Sequence, residues 1–130
     1  MNIYQEEILE HYRHPHNTGQ LEHADVVQQE YNPFCGDKLT LYLTFVDNKV
    51  AEVRFMGEGC AISQAATSML TDKIAGMTRK QIQQLTKEDV LQLLGIELGP
   101  TRLKCALLSL QGIHHAIQQA PTPTSKDVTA

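Results

Sequence analysis

The sequence lacks the marks of a membrane-spanning or secreted protein. It contains no run of about 18 apolar residues, which excludes a transmembrane helix. Its first fifteen residues, MNIYQEEILEHYRHP, have neither the basic segment nor the apolar segment of a secretory signal. We therefore expect a cytoplasmic protein, and the length of 130 residues suits one domain rather than two.

Positive charge is also scarce. Eleven Lys and Arg residues stand against fifteen Asp and Glu, which gives a net charge of −4, and the basic residues form no run. Such a chain does not favour nucleic acid or an anionic membrane as a partner. The sequence also has no glycine-rich phosphate loop, no Ser/His/Asp order and no paired catalytic carboxylates.

Cysteine is rare, and its pattern excludes a disulfide framework. The three cysteines, Cys35, Cys60 and Cys105, are odd in number and form no CxxC pair. Three thiolates with one further ligand can form a tetrahedral metal site. Asp37 follows Cys35 by two residues and would share its face in an extended segment, so it is the candidate fourth ligand. The alternative is that the cysteines are small core residues and that the aspartate belongs to a turn.

Hydrophobic spacing predicts an α+β fold. Period-2 alternation over 39–45 and 51–56, around the turn residues Asp47 and Asn48, predicts a β-hairpin, and 26–31 is a shorter third strand. Helical spacing or capping signals predict helices over 2–13 and 60–75, two short ones after Thr78 and Thr86, and a last one opening at Gly99-Pro100. We expect a small antiparallel sheet of about three strands with helices packed on one face.

The end of the chain carries two further predictions. The last helix should bury a stripe formed by Leu103, Leu107, Leu110, Ile113 or His114, and Ile117. Residues 120–130, APTPTSKDVTA, are rich in Pro and Thr, so we expect a disordered tail after a domain over 1–119.

Each cysteine lies near the end of a predicted element, which predicts that the fold brings the three thiols together. Cys35 precedes a predicted strand, Cys60 opens a predicted helix, and Cys105 lies in the first turns of the last helix. A helix N-terminus stabilises a thiolate, the form that binds metal and attacks sulfur. Arg102 and Lys104 could add to this stabilisation or could be ordinary surface charges.

The histidines provide a weaker signal for metal binding. Five of the six lie in or near one polar loop (His14, His16 and His23) or late in the last helix (His114 and His115). We interpret them mainly as solvated surface residues.

Three motifs, found in one order, resemble the IscU/SufU/NifU-N-terminal family of iron–sulfur cluster assembly scaffolds. They are NPFCGD at 32–37, GEGCAIS at 57–63 and RLKCA at 102–106, and the opening YQEEILEHYRHPHNTG at 4–19 also resembles the family's first helix and loop. The resemblance extends over about 1–119.

The resemblance implies a SufE/NifU-like fold and a specific site. Cys35, Asp37, Cys60 and Cys105 would surround a labile [2Fe–2S] cluster or, in some members, a zinc ion. Cys105 or Cys35 would accept sulfur from the persulfide of a cysteine desulfurase, and recipient apoproteins would take the cluster. The protein would then be a scaffold rather than an enzyme.

Two departures from the family pattern leave open whether the protein is of the IscU or the SufU type. Lys104 stands where IscU proteins carry a histidine before the third cysteine, and 98–102 (LGPTR) replaces the LPPVK segment that a specialised Hsp70 chaperone recognises, which puts chaperone recognition in doubt. The motifs resemble SufU, whereas the spacing between the second and third cysteines resembles IscU. The alternatives are a cluster scaffold, a zinc-bearing sulfur carrier that builds no cluster, and a structural zinc domain.

Overall fold

The computed structural model describes residues 2–33 and 36–119. The elements in chain order are α1 (Ile3–Arg13), β1 (Val26–Asn32), β2 (Asp37–Val46), β3 (Lys49–Glu58), α2 (Ala61–Ile74), α3 (Arg79–Gln83), α4 (Lys87–Leu94) and α5 (Pro100–Gln119). None of the helices in these two ranges is long and apolar enough to span a membrane. The predicted disordered tail at 120–130 lies outside the described residues.

The sheet confirms the predicted α+β fold. Its three strands pair antiparallel in the order β1-β2-β3. The β2–β3 hairpin turns at Asp47 and Asn48, whose φ angles are +52° and +63°. Two consecutive positive φ angles are typical of a type I′ turn, whose twist matches that of the flanking strands.

One detail of the predicted hairpin is wrong at Ala51. The alternation placed Ala51 on the buried face with Val53 and Phe55, but the structure exposes it and buries Val50 instead. The register shifts between Thr44 and Phe45, which pair with Glu52 and Val50 respectively. Ala51 is thus the extra residue of a β-bulge, and a bulge interrupts the period of two.

Helix caps agree with the predicted helix starts. Asn2, Thr78 and Thr86 each form a capping box at the beginning of a helix, and Cys60 is the N-cap of α2. The helices cover one face of the sheet, with α5 packed on β1 and β2 and with α2 packed on β3 and α5.

The buried face of α5 differs from the predicted leucine stripe. Leu110, Ile113 and Ile117 are buried as predicted, whereas Leu103 and Leu107 are only partly buried. The remaining buried positions are mostly small residues: Cys105, Ala106, Ser109, Gly112 and Ala116, together with Leu108. Small side chains let a helix approach a sheet closely, and Cys105 is one of the small residues on this buried face.

Gly112 marks the closest approach of α5 to the sheet. A Cβ atom at this position would lie 2.9 Å from Cγ of Glu30 and 2.9 Å from Cδ1 of Leu41. Both neighbours are buried, so a larger residue would have little room. The absence of a side chain at Gly112 therefore sets the distance between α5 and strands β1 and β2.

A buried carboxylate then links β1 to α5. Glu30 Oε1 accepts a hydrogen bond from Gln111 Nε2 at 2.8 Å, and Glu30 Oε2 lies 2.9 Å from His115 Nδ1. Gln28 Nε2 donates a further bond to Oε2 at 2.5 Å. The Glu30 side chain is only 6% exposed, and its partners satisfy a carboxylate that would otherwise be costly to bury.

We predict that Glu30→Ala lowers the free energy of unfolding by about 3 kcal/mol, because it leaves a cavity and three polar partners without their acceptor. Urea denaturation should show this loss. Glu52→Ala, which removes an exposed glutamate from β3, is the matched control and should change stability by less than about 0.5 kcal/mol. Equal midpoints for the two variants would contradict a structural role for Glu30.

Candidate functional site

Three of the four predicted site residues come together in the structure. One ligand atom from each of Asp37, Cys60 and Cys105 lies within 4.8 Å of the other two. The fourth predicted residue, Cys35, lies outside the described residues. The three side chains belong to different elements, namely a strand, a helix cap and a helix interior.

A tight turn positions Asp37. The Gly36 N–H donates to the carbonyl oxygen of Asn32 at 2.8 Å, and Gly36 has a φ of +75°, which favours glycine. Asn32, the last residue of β1, pairs with Asp37, the first residue of β2. Asp37 therefore begins β2 with its side chain on the buried face, where the residue is 1% exposed.

Cys60 positions its sulfur by capping α2. Its Sγ accepts a hydrogen bond from the Ser63 N–H at 3.4 Å, the bond expected of an N-cap side chain. Its own N–H donates to Oδ1 of Asp37 at 3.2 Å. The cap therefore joins two candidate ligands directly, and partial exposure of Cys60 leaves this side of the cluster accessible.

Cys105 lies in the first turns of the last helix, as predicted, since it is the sixth residue of α5, and it is only 2% exposed. The favourable effect of a helix N-terminus fades beyond the first turn. Cys60 therefore lies directly at a helix N-terminus, whereas Cys105 lies beyond the first turn of its helix. The neighbouring Arg102 and Lys104 lie on the exposed side of α5.

Gly59 lets the aspartate carboxylate approach the start of α2. A Cβ atom at this position would collide with the Asp37 carboxylate and would lie 3.2 Å from Ser63 Oγ. Asp37 is buried and its side chain is short, so it has little room to move away. The glycine of the Gly-Cys pair is thus required for the geometry, a role that the sequence motif alone did not reveal.

The donor set of this cluster fits a metal ion or an iron–sulfur unit. Thiolates bind zinc and iron–sulfur iron well, whereas carboxylate oxygen is a harder ligand. Two sulfur atoms and one oxygen atom lie close together here, with Asp37 and Cys105 buried and Cys60 partly exposed. Beside Cys60, an open and mainly apolar groove of about 540 Å³ extends between α1, the start of α2 and Arg102.

The histidines have more partners than the sequence indicated. His14 and His23 are exposed, as predicted. His114 Nε2 lies 3.1 Å from the Ile82 carbonyl oxygen, and His115 contacts Glu30.

A separate group, His11, His16 and Asp72, also brings its ligand atoms within 4.8 Å of one another. No sequence pattern indicates this group, because its members come from three separate segments and His11 lies within the ordinary helical spacing of α1. Burial, and then the positive charge of the neighbouring His16, lower the pKa of His11 from its ordinary value.

Comparison with known proteins supports a single family. A model of the NifU-like N-terminal domain matches residues 3–126. The zinc-dependent sulfurtransferase SufU of Bacillus subtilis is 32% identical over 132 residues, covering 88% of this chain and 89% of that protein. The iron–sulfur cluster assembly scaffold protein IscU of Aquifex aeolicus is 36% identical over 117 residues, covering 88% and 74%.

Structural comparison gives the same result for the fold. The crystal structure of FiSufU from Fervidobacterium islandicum AW-1 superposes with a TM-score of 0.75 at 28% identity, covering 86% of this chain and 94% of that one. The SufE/NifU-like architecture expected from the sequence is therefore confirmed.

We predict that Gly59→Ala weakens zinc binding at the Asp37–Cys60–Cys105 cluster by about tenfold, because the new methyl group displaces the carboxylate. Competition with a chromophoric chelator would measure the affinity. Gly99→Ala is the control, since nothing lies within 4 Å of a Cβ atom there. If the two variants bound zinc with the same affinity, the Asp37 carboxylate would not contribute to binding.

Proposed function

The chain belongs to the NifU-like N-terminal domain family, and from this premise we propose that it is an iron–sulfur cluster assembly scaffold. A single domain over 1–119 would receive sulfur from a cysteine desulfurase together with iron. It would hold a labile [2Fe–2S] cluster as its cargo and transfer that cluster to recipient apoproteins. The protein would work in the cytoplasm, where reducing conditions keep thiols available.

The observation that carries this proposal is the convergence of Asp37, Cys60 and Cys105 from separate elements. These residues lie far apart in sequence, so only the fold brings them together. Cys35 would complete the set, because two residues of chain extend at most about 7 Å and so keep it near Asp37. The site would then contain three thiolates and one carboxylate.

One oxygen ligand among three sulfur ligands suits temporary binding. Carboxylate is a weaker ligand than thiolate for iron–sulfur iron, so Asp37 marks the position at which an incoming thiol could displace a protein ligand. A permanent structural zinc site more commonly has only cysteine and histidine ligands. This chemistry favours transfer over storage and argues against a structural zinc domain.

Sulfur transfer would use a thiolate of the cluster as the nucleophile. The attacking thiolate forms a bond to the terminal sulfur of the donor persulfide, while the donor's S–S bond breaks and its cysteine leaves as thiolate. No external electrons are needed for this exchange. Cys35 and Cys105 are the proposed acceptors, and burial of Cys105 means that a donor would have to enter the site to reach it.

The groove beside Cys60 is the surface we assign to the approaching sulfur donor. Its lining is mainly apolar, with Ile8, Leu9, Ile62 and Ile96 among the contributing residues, and Arg102 lies at its edge. An apolar groove next to a reactive site can hold a partner's loop long enough for exchange. We do not propose recognition by an Hsp70 chaperone, because the 98–102 segment departs from the sequence that such a chaperone recognises.

A second candidate function is a zinc-dependent sulfurtransferase that relays sulfur without holding a cluster. The same four residues would hold zinc, which would stabilise the thiolates. Lys104, directly before Cys105, favours this candidate, as do SufU-like motifs around Cys60 and the similarity to the Bacillus subtilis protein. Metal analysis of protein purified without oxygen, together with its visible absorption spectrum, separates the candidates: iron with sulfide charge-transfer bands supports the scaffold, and zinc alone supports the carrier.

We predict that Cys35 or Cys105 becomes persulfidated when the protein is mixed with a cysteine desulfurase and cysteine. Intact-protein mass spectrometry should show the gain of one sulfur atom, followed by alkylation mapping. One of Cys35→Ser and Cys105→Ser should abolish the gain, while Cys60→Ser serves as the matched control and should retain it. An identical gain in all three variants would exclude the site cysteines as acceptors.

We also predict that Asp37→Ala changes the rate of cluster transfer to an apoprotein while the protein keeps a cooperative melt. Removal of the carboxylate opens a coordination position that water or an added thiol can fill. Asp37→Cys should bind metal more tightly and release the cluster more slowly, since thiolate is the better ligand. Transfer rates and metal affinities equal to those of the parent in both variants would reduce Asp37 to a turn residue.

A further inference from the structure

A second group of metal-ligand side chains lies away from the cysteine cluster. His11 belongs to the last turns of α1, His16 to the loop that follows, and Asp72 to the last turns of α2. Asp72 lies twelve positions after Cys60, the N-cap of α2, which corresponds to about 18 Å along the helix. The two groups therefore share no ligand and cannot hold the same ion.

The geometry places two imidazoles beside one carboxylate. The ring centroids of His11 and His16 are 4.4 Å apart, with the ring planes inclined by 47°. His16 Nδ1 lies 2.5 Å from Oδ2 of Asp72. One ligand atom of each residue lies within 4.8 Å of the others, a limit that accommodates the spacing of about 3.3 Å between ligand atoms on a tetrahedral zinc.

Outer hydrogen bonds already orient two of the three ligands. His11 Nδ1 lies 2.7 Å from Ser68 Oγ, which leaves His11 Nε2 available for a metal. Asn17 Nδ2 donates to Oδ1 of Asp72 at 2.8 Å and orients the carboxylate, whose Oδ2 faces His16 Nδ1, so a bound ion would replace the hydrogen that these two atoms share. Ser68 is fully buried in α2 and holds its position. Metal-bound histidines and carboxylates in proteins are typically fixed by such partners.

The exposed side of the group provides the freedom that binding needs. The side chains of His16 and Asp72 are 49% and 45% exposed, so an ion from solvent can reach both of them and compete with the hydrogen bond that joins them. The loop itself is anchored, since the His16 N–H donates to Ser68 Oγ at 2.8 Å. An ion from solvent can therefore reach a site whose base is rigid and whose opening can adjust.

We propose that His11, His16 and Asp72 form a second metal site that binds a divalent cation of the zinc class. Two imidazole nitrogens and one carboxylate oxygen match the ligands that zinc prefers, and a water molecule would take the fourth position. Binding would connect α1, the following loop and α2 through one ion. The site goes beyond the cluster-assembly function and does not depend on it.

Zinc titration of protein without an affinity tag tests this proposal. Long-range ¹H–¹⁵N spectra of the imidazole rings should show the ring nitrogens of His11 and His16 shifting at the second zinc equivalent, after the thiolate cluster has filled. His16→Gln and Asp72→Asn should each weaken this second binding step by about tenfold or more. His23→Gln, which changes an exposed histidine of the same region, is the matched control and should leave both steps unchanged.

Cobalt substitution separates this site from the cysteine site. The intense thiolate-to-cobalt absorption bands report the cysteine cluster alone, so His16→Gln should retain them. Weaker bands in Cys60→Ser, which removes one of the three proposed thiolate ligands, with the histidine shifts retained would further support two independent sites. The proposal is overturned if His16→Gln and Asp72→Asn bind the second equivalent like the parent, or if His14 and His23 shift as strongly as His11 and His16.

Discussion

Helix α5 can lie close against strands β1 and β2 because its buried face is built from small residues. Gly112 leaves room for Glu30 and Leu41, and the hydrogen bonds of Glu30 hold strand and helix together. Cys105 lies about two turns before Gly112 on the same buried face of α5, where its sulfur lies near Asp37 and Cys60.

A glycine also makes room for a close contact in the candidate site. Gly59 gives the Asp37 carboxylate room beside the start of α2, and the Cys60 N–H then donates to it. A buried carboxylate with a hydrogen-bond partner is tolerated, and its oxygen lies among sulfur atoms. The combination suits a cargo that must be held and then released, because the oxygen is the weakest of the ligands.

The elements were largely predictable from local patterns. Alternation identified the β2–β3 hairpin, and Thr78 and Thr86 marked two helix starts, because turn and cap preferences depend on a few neighbouring residues. The bulge at Ala51 was not predictable, since the register shift arises from pairing across strands. The prediction that Leu103 and Leu107 are buried was wrong. Periodicity identifies the apolar side of a helix but not which part of that side contacts the sheet.

The sequence by itself determined the ligand chemistry, the order of the motifs and the family, since thiol and carboxylate groups and their local signals are written residue by residue. Tertiary structure decided which groups meet. It brought Asp37, Cys60 and Cys105 together, buried Cys105 within α5, and joined His11, His16 and Asp72 into a second group. These outcomes depend on how helices and strands pack across long sequence separations, and no local pattern encodes such distances.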